Sequence, residues 1–265
     1  MLQSAIDCLD LDQFLLMLSA LDQDKYISTT RSLDCDHPMF HWIFRNIDFA
    51  QWSSANCSRV LWLSGPPECN IHQVSSYIVH QEKNTALKTD HFVLYFFCSA
   101  AIGRSSILAG FVHTLLKQIF CCSPVDKRIL IMRKFLHSLL HEIAATPNWE
   151  KCGFNERDFP DKIQDILDAP ANKLLTALKA VLSDEKQRGL FIVVDGLDKV
   201  ELQRGEFFSG VRVFVEHLQQ RTSKVKILLT SRPLAEIKDL FNGLPCIEHD
   251  KERKGPYAPH VQTLN

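Results

Sequence analysis

The sequence predicts a doubly wound α/β domain: a mostly parallel sheet with helices on both faces, preceded by N-terminal helices. Three observations carry this expectation. Short apolar runs alternate with longer amphipathic segments, the order of a strand–helix–strand chain. Of three strand-like runs, residues 59–64, 190–194 and 225–230, the second is continuously apolar, as strands buried on both faces of a parallel sheet are. Each of the three ends beside residues with chemical capability, at Gly65, at Asp195 and at Thr230-Ser231-Arg232-Pro233. Ligands of open α/β sheets bind beyond the carboxyl ends of the strands.

Taken in order, residues 5–21 carry Leu9, Phe14, Leu15, Leu18 and Leu21 at helical spacing. The polar stretch 22–36 reads as a linker. A second helical piece follows Pro38, with Phe40, Trp42, Ile43, Phe44, Ile47, Phe49 and Trp52; Pro suits the first turn of a helix, where its missing N–H is no loss. RVLWLS (59–64) is a buried strand ending at Gly65, and a helix with Val74, Ile78 and Val79 on one face follows its loop. HFVLYFFC (91–98) is rich in aromatic and β-branched residues and reads as the next strand. Helices are expected over 105–120, over 126–143 with Ile129, Met132, Leu136, Leu139, Leu140 and Ile143 as apolar face, and over 171–182. LFIVV (190–194) and VKILLT (225–230) are strands, separated by a helix over 211–218. A helix over 234–241 and a short strand over 245–249 precede a polar tail. The expected division is 1–35 as N-terminal helix and linker, 36–250 as the domain and 251–265 as a flexible tail.

Composition narrows the function classes. With 46% hydrophobic residues the chain can bury a sizeable core. A net charge of -1 gives no global field toward nucleic acid or an anionic membrane, so neither is an expected partner. The longest strongly apolar stretch, 92–102, is too short to span a bilayer, and the first ten residues lack the basic start of a secretory signal. The nine cysteines have no regular spacing. Cys98 and the Cys121-Cys122 pair sit in apolar runs, where a reduced thiol acts as a small hydrophobe. A reduced, cytoplasmic protein is therefore expected.

The first motif is Gly65-Pro66-Pro67-Glu68-Cys69-Asn70-Ile71-His72. A phosphate loop reads G-x-x-x-x-G-K-[ST] between strand and helix: backbone N–H groups cradle phosphate, the Lys reaches the terminal phosphates and the hydroxyl holds Mg²⁺. The strand, Gly65, the length and the helix fit. Asn70 stands for the second Gly, Ile71 for the Lys and His72 for the Ser/Thr. Glu68 adds a negative charge where phosphates would lie, and Lys83 is too far along the helix to substitute. The plain alternative is a strand–turn–helix.

The second motif is Val193-Val194-Asp195-Gly196-Leu197-Asp198. An apolar strand ending in Asp is a Mg²⁺-binding arrangement, with Asp198 placed to orient the attacking water; the alternative is an Asp-Gly turn. The third is Thr230-Ser231-Arg232-Pro233, with Arg232 as a sensor of terminal phosphate or simply a surface cation. Weaker candidates are Cys35, His37 and His41 as a metal face. His137 and His141 share i,i+4 spacing but lack the Glu of H-E-x-x-H, and read as flanks of an amphipathic helix. Lys127, Arg128, Arg133 and Lys134 read as a solvated basic face.

LWLSGPP, FIVVDGLDKV and ILLTSRP, in that order, resemble the NACHT family of P-loop NTPases. Within it the chain looks like the nephrocystin-3-like N-terminal domains abundant in fungal NACHT proteins, with His37-Pro38 through Trp42 and Asp48 through Trp52 resembling that group's lead-in. The resemblance covers residues 30–250. It implies a three-layer α/β/α fold and a nucleotide switch governing oligomerisation in signal transduction, with Asp195 as the Mg²⁺ acid, Asp198 as the catalytic-side acid and Arg232 as the sensor. Gly65, Asn70, Ile71, His72 and Arg232 then outline a degenerate nucleotide site, departing further from the family at Lys199. The expectation is a signalling or scaffold module working through protein partners or self-association, with no cofactor and no ATP hydrolysis. A switch binding ATP and Mg²⁺ is the alternative.

Overall fold

The structure, a computed structural model, describes residues 6, 9–18, 20–28, 40–89, 91–101, 106–145, 159–184, 189–201, 204–220 and 224–249. The polar tail from Asp250 lies outside them. So do Pro38 and the proposed ligands Cys35 and His37, with the side chain of His41. Two compact units divide the chain: residues 22–103 with 187–265, and residues 1–21 with 104–186.

The first unit holds the sheet. Its strands are β1 (Arg59–Ser64), β2 (His91–Phe97), β3 (Gly189–Asp195), β4 (Val225–Ser231) and β5 (Cys246–Glu248). They pair in the order β2-β3-β4-β1-β5, and every pairing is parallel. The strand bounds expected from the apolar runs hold to within a residue or two, because continuous Val, Leu, Ile and Phe have nowhere to go but a sheet covered on both sides.

Parallel register keeps paired residues on one face. Leu61 faces Leu228, Val93 faces Phe191 and Tyr95 faces Val193. These side chains pack with Val74, Tyr77 and Ile78 of α5 (Ile71–Thr89). Ile43 of α3 (His41–Phe44) and Phe49 and Trp52 of α4 (Ile47–Ser54) join the same core. Phe96 points the other way, its ring 6.0 Å from Phe207 of α10 (Arg204–Gln219). Helices therefore cover both faces, the three-layer α/β/α arrangement. α11 (Ala235–Leu240) leads into the short edge strand β5.

Two departures from expectation concern helices here. The piece after Pro38 is two helices, broken where Asn46 adopts extended backbone and its Oδ1 accepts from the N–H groups of Asp48 and Phe49 at 2.8 and 3.1 Å, an N-cap. The stretch taken as linker contains α2 (Asp24–Ser28). That helix is tied down by polar groups: Gln23 Oε1 accepts from Phe97 N at 2.6 Å, and Asp24 Oδ1 from the Tyr95 hydroxyl at 2.8 Å. Lys83, far along α5, donates to the same Tyr95 hydroxyl at 3.1 Å.

The second unit is helical: α1 (Leu11–Met17), α6 (Ile107–Cys122), α7 (Val125–Ala144), α8 (Phe159–Leu167) and α9 (Ala171–Asp184). Phe14 of α1 stands edge-on to Phe120 and Phe135, 5.6 and 6.4 Å between rings. α7 buries Ile131, Met132, Phe135, Leu136, Leu139 and Leu140. Ile129, assigned to this face by spacing, is 43% exposed. Residues 129–132 are apolar all round the helix, so periodicity alone does not choose the buried stripe. His137 and His141 are exposed flanks, as expected. Cys98 is buried, but Cys121 and Cys122 are exposed at the end of α6, contrary to the expectation that they act as core hydrophobes. Among the described residues no helix is long and apolar enough to cross a membrane.

Candidate functional site

All three motifs meet at the carboxyl edge of the sheet, around a cavity of about 270 Å³ lined by Pro67, Asn70, His72, Asp195, Asp198 and Arg232 among others. That volume lies just under the roughly 300–1,000 Å³ of pockets that enclose drug-sized ligands. Parallel strands in register deliver the residues. Leu63 pairs with Thr230 and Phe97 with Asp195, so Asp195 and Thr230 project from the face that α5 covers.

Gly65 ends β1, its N–H donating to Ser231 O at 3.4 Å. A Cβ here would stand 3.1 Å from Ile71 Cδ1, 3.2 Å from His249 Cβ and 3.3 Å from Cys69 Sγ, so a larger residue forces the loop to shift. Residues 67–69 then form a single 3₁₀ turn. Pro66 and Pro67 have no N–H to offer. The N–H groups of Cys69 and Asn70 turn inward to Pro66 O and Pro67 O, at 3.0 and 3.3 Å. Asn70 closes the turn in the left-handed region, φ 53°, a conformation for which Gly is the default and Asn the best-tolerated substitute. Its carbonyl receives the N–H groups of Gln73 and Val74 and so starts α5. The side chain of Ile71 packs against the core beneath the loop.

His72 carries the main departure from a phosphate site. Its Nδ1 lies 2.6 Å from Asp195 Oδ2. A carboxylate accepts, so the shared proton sits on Nδ1. The ring is held edge-on against Tyr26 and Phe97, 5.5 and 5.3 Å away, and those two rings stack on each other. Burial works against charge on His72, but the hydrogen bond to Asp195 and the charge of that carboxylate outweigh it, and the imidazole is held above its ordinary value. The second oxygen, Asp195 Oδ1, accepts from the Thr230 hydroxyl at 2.6 Å, which in turn accepts from Gly196 N at 3.1 Å. Gly196 has φ +73°, the turn that lets the chain double back after β3.

Asp198 is satisfied in the same way. Its Oδ1 accepts from Arg232 N at 3.0 Å and its Oδ2 from Arg232 Nε at 2.6 Å, with Lys199 Nζ at 3.9 Å. Charge-assisted contacts of this length are the strong class of hydrogen bond. Both acids are nearly fully buried, Asp195 at 2% exposure and Asp198 at 6%, and both oxygens of each accept from donors of the protein itself.

The structure thus brings together Gly65, Asn70, Ile71, His72, Asp195, Asp198 and Arg232 in one place. Sequence reasoning missed Thr230 as a ligand of Asp195, and missed Tyr26, which lies in the supposed linker. Thr230 had a signal: it is the last hydroxyl of β4 before the Ser-Arg pair. Tyr26 had none. The residues present do not fit a magnesium-bound phosphate. Both oxygens of Asp195 already accept from protein donors, the lysine position holds an aliphatic side chain, and loop N–H groups are folded into a turn. Among the described residues no group of three or more His, Cys, Asp or Glu stands together to hold a metal.

What the fold and the edge cavity define is a doubly wound α/β domain whose candidate site sits at the carboxyl ends of parallel strands. The family model described as Nephrocystin 3, N-terminal matches residues 39–232, and the chain belongs to that family. No curated protein and no solved structure matches the chain.

Proposed function

We propose that this chain is a NACHT-type NTPase domain whose nucleotide site is degenerate, and that it serves as a signalling or scaffold module through contacts with protein partners or with itself, without hydrolysing ATP. One observation carries the reading: the acids that a P-loop NTPase turns toward Mg²⁺ and water are here paired internally, Asp195 with His72 and Thr230, Asp198 with Arg232. A charge-assisted hydrogen bond contributes about 1.5–3 kcal/mol. Lacking the lysine and the magnesium hydroxyl therefore removes several kcal/mol, on the order of 3–6, and at about 1.4 kcal/mol per tenfold a micromolar site becomes millimolar or weaker. Phosphoryl transfer depends on positioning and electrostatics, so the transition state loses at least as much. The unoxidised thiols of Cys57, Cys98 and Cys246 fit a cytoplasmic, reducing location.

Calorimetric titration with ATP and ADP, with and without Mg²⁺, tests this on the natural chain beside Asn70→Gly/Ile71→Lys/His72→Ser. The expected outcome is no heat from the natural chain and binding by the triple variant. Binding by the natural chain that Asp195→Ala abolishes would overturn the reading in favour of a nucleotide switch. What favours that second reading is the convergence of Asp195, Asp198 and Arg232 on one cavity.

A further inference from the structure

Two adjacent thiols stand at the end of α6 in the helical unit. Cys121 and Cys122 are both exposed; the chain turns at Ser123-Pro124, and α7 starts at Val125. The opening of α7 leaves its aliphatic side chains in solvent: Val125 is 70% exposed and Leu130 66%, with Ile129 between them. Half of the large hydrophobic side chains exposed among the described residues, three of six, lie in these six positions.

The same stretch is strongly basic. Residues 117–134 contain Lys117, Lys127, Arg128, Arg133 and Lys134 against one acid, Asp126, a local charge of five minus one, +4, in a chain whose total is -1. Lys117 and Lys127 are exposed. Arg128 is tied to the backbone of this turn, its Nε donating to Ser123 O at 3.0 Å and Nη2 approaching Cys121 O at 3.5 Å. Exposed aliphatic side chains in a basic stretch, with Lys117 and Lys127 in solvent, match an anionic bilayer surface, where apolar groups enter the acyl region and Lys/Arg meet the headgroups. A second copy of this chain would bring +4 against +4.

We propose that Cys121 and Cys122 form a dual S-acylation site through which the helical unit docks on an anionic membrane surface. Each sulfur, as thiolate, attacks the carbonyl carbon of a long-chain acyl thioester of coenzyme A, presented by a membrane-bound acyltransferase. A new C–S bond forms, the C–S bond to the coenzyme breaks, and the cysteine's proton ends on the departing coenzyme thiol. Nothing is oxidised or reduced. One acyl chain gives only reversible attachment, whereas two chains, or one chain with a basic patch, hold; adjacent thiols inside a basic patch supply both. The expectation of no membrane partner rested on the whole-chain charge and the lack of a span, and neither sees a local +4. The inference is independent of the cavity at the sheet edge.

The test uses the full chain expressed in a eukaryotic host. Neutral hydroxylamine cleaves thioesters, and a maleimide mass tag then marks each released thiol. The natural chain is expected to gain two hydroxylamine-dependent tags, Cys121→Ser and Cys122→Ser one each, and the double variant none, with a fall of about tenfold or more in its membrane-bound fraction. Serine at two exposed sites leaves the fold intact, checked by an unchanged unfolding midpoint. Absence of tags on the natural chain, or tags that persist in the double variant, overturns the acylation. Acylated chain that binds vesicles of phosphatidylcholine as well as vesicles that also contain phosphatidylserine, or that stays off membranes on a soluble acidic partner, overturns the anionic docking.

Discussion

The loop after β1 and the ends of β3 and β4 line one cavity, yet they differ in kind. Around β1 the polar groups that only a phosphate would satisfy are missing: Ile71 packs against the core, and the N–H groups of Cys69 and Asn70 close a turn. At β3 and β4 the charged groups are all present, and they serve one another. Asp198 is held by Arg232 at two points, Asp195 by His72 and Thr230. A buried carboxylate without a partner is far costlier than a paired one. Acids and an arginine at strand ends can therefore serve as structural elements, and acidic motifs there do not by themselves report nucleotide chemistry.

The largest effect that sharpens this contrast comes from Arg232→Ala. It leaves the buried Asp198 carboxylate with the backbone N–H of residue 232 and the more distant Lys199, and breaking a buried pair from the cation side costs about 3 kcal/mol, read as a lowered denaturant midpoint. Asp198→Ala should cost less, because the Arg232 guanidinium, 44% exposed, relaxes into water. Equal losses would break the claim that the acid is the buried dependent of the pair.

His72→Ala is next, at about 1 kcal/mol, the low end for a lost partner of a buried carboxylate, since water can enter the cavity. Its pH dependence has a definite sign. The folded-state pKa of His72 is raised, so the stability from the pair is fully present below pH 6.5 and is lost as pH rises through the folded value. The natural chain should therefore exceed His72→Ala most in acid and approach it in base; a constant gap would remove the charged pair from the account. His113 on α6 behaves oppositely. Burial, stronger than the charge of Asp168 and the nearby Leu167 backbone, holds its pKa down. Stability tied to it is present above pH 6.5 and is lost as pH falls from there through the folded value. In His113→Phe that acid-side loss should shrink, measurable by urea unfolding between about pH 5 and 8. The smallest effect belongs to Asn70: Asn70→Ala costs less than about 1 kcal/mol, because alanine lacks the short polar side chain with which Asn tolerates the left-handed region, while Asn70→Gly is near neutral.

Much of this architecture was readable from the residues. Leu190–Val194 has the unbroken apolarity of a doubly covered strand and Val225–Thr230 departs from it at Lys226 and Thr230; the terminal Asp195 and Thr230-Ser231-Arg232 fall at the site because parallel register puts them there. What was not readable depended on side chains meeting across long separations. Residues 22–28 are polar enough to pass for a linker, yet Gln23 and Asp24 fasten them to β2 by hydrogen bonds, and Tyr26 packs on His72. Periodicity has no means of seeing such bonds. His72 was recognised as a broken hydroxyl position, but its reach to Asp195, 123 residues away, needs the backbone to be in place. The Cys121-Cys122 pair misled for a simpler reason: α6 is apolar almost to its end, and local hydrophobicity does not say where the chain leaves the core.

The most direct test of the central claim is the unfolding free energy of the natural chain with and without excess Mg²⁺-ATP. A ligand that binds only the native state adds about 2.7 kcal/mol at a hundredfold excess over its Kd. With Asp195 and Asp198 already paired inside the protein, the two unfolding curves should coincide. A clear upward shift that Asp195→Ala removes would contradict the account, showing that His72 yields its place on Asp195 to a metal-bound phosphate.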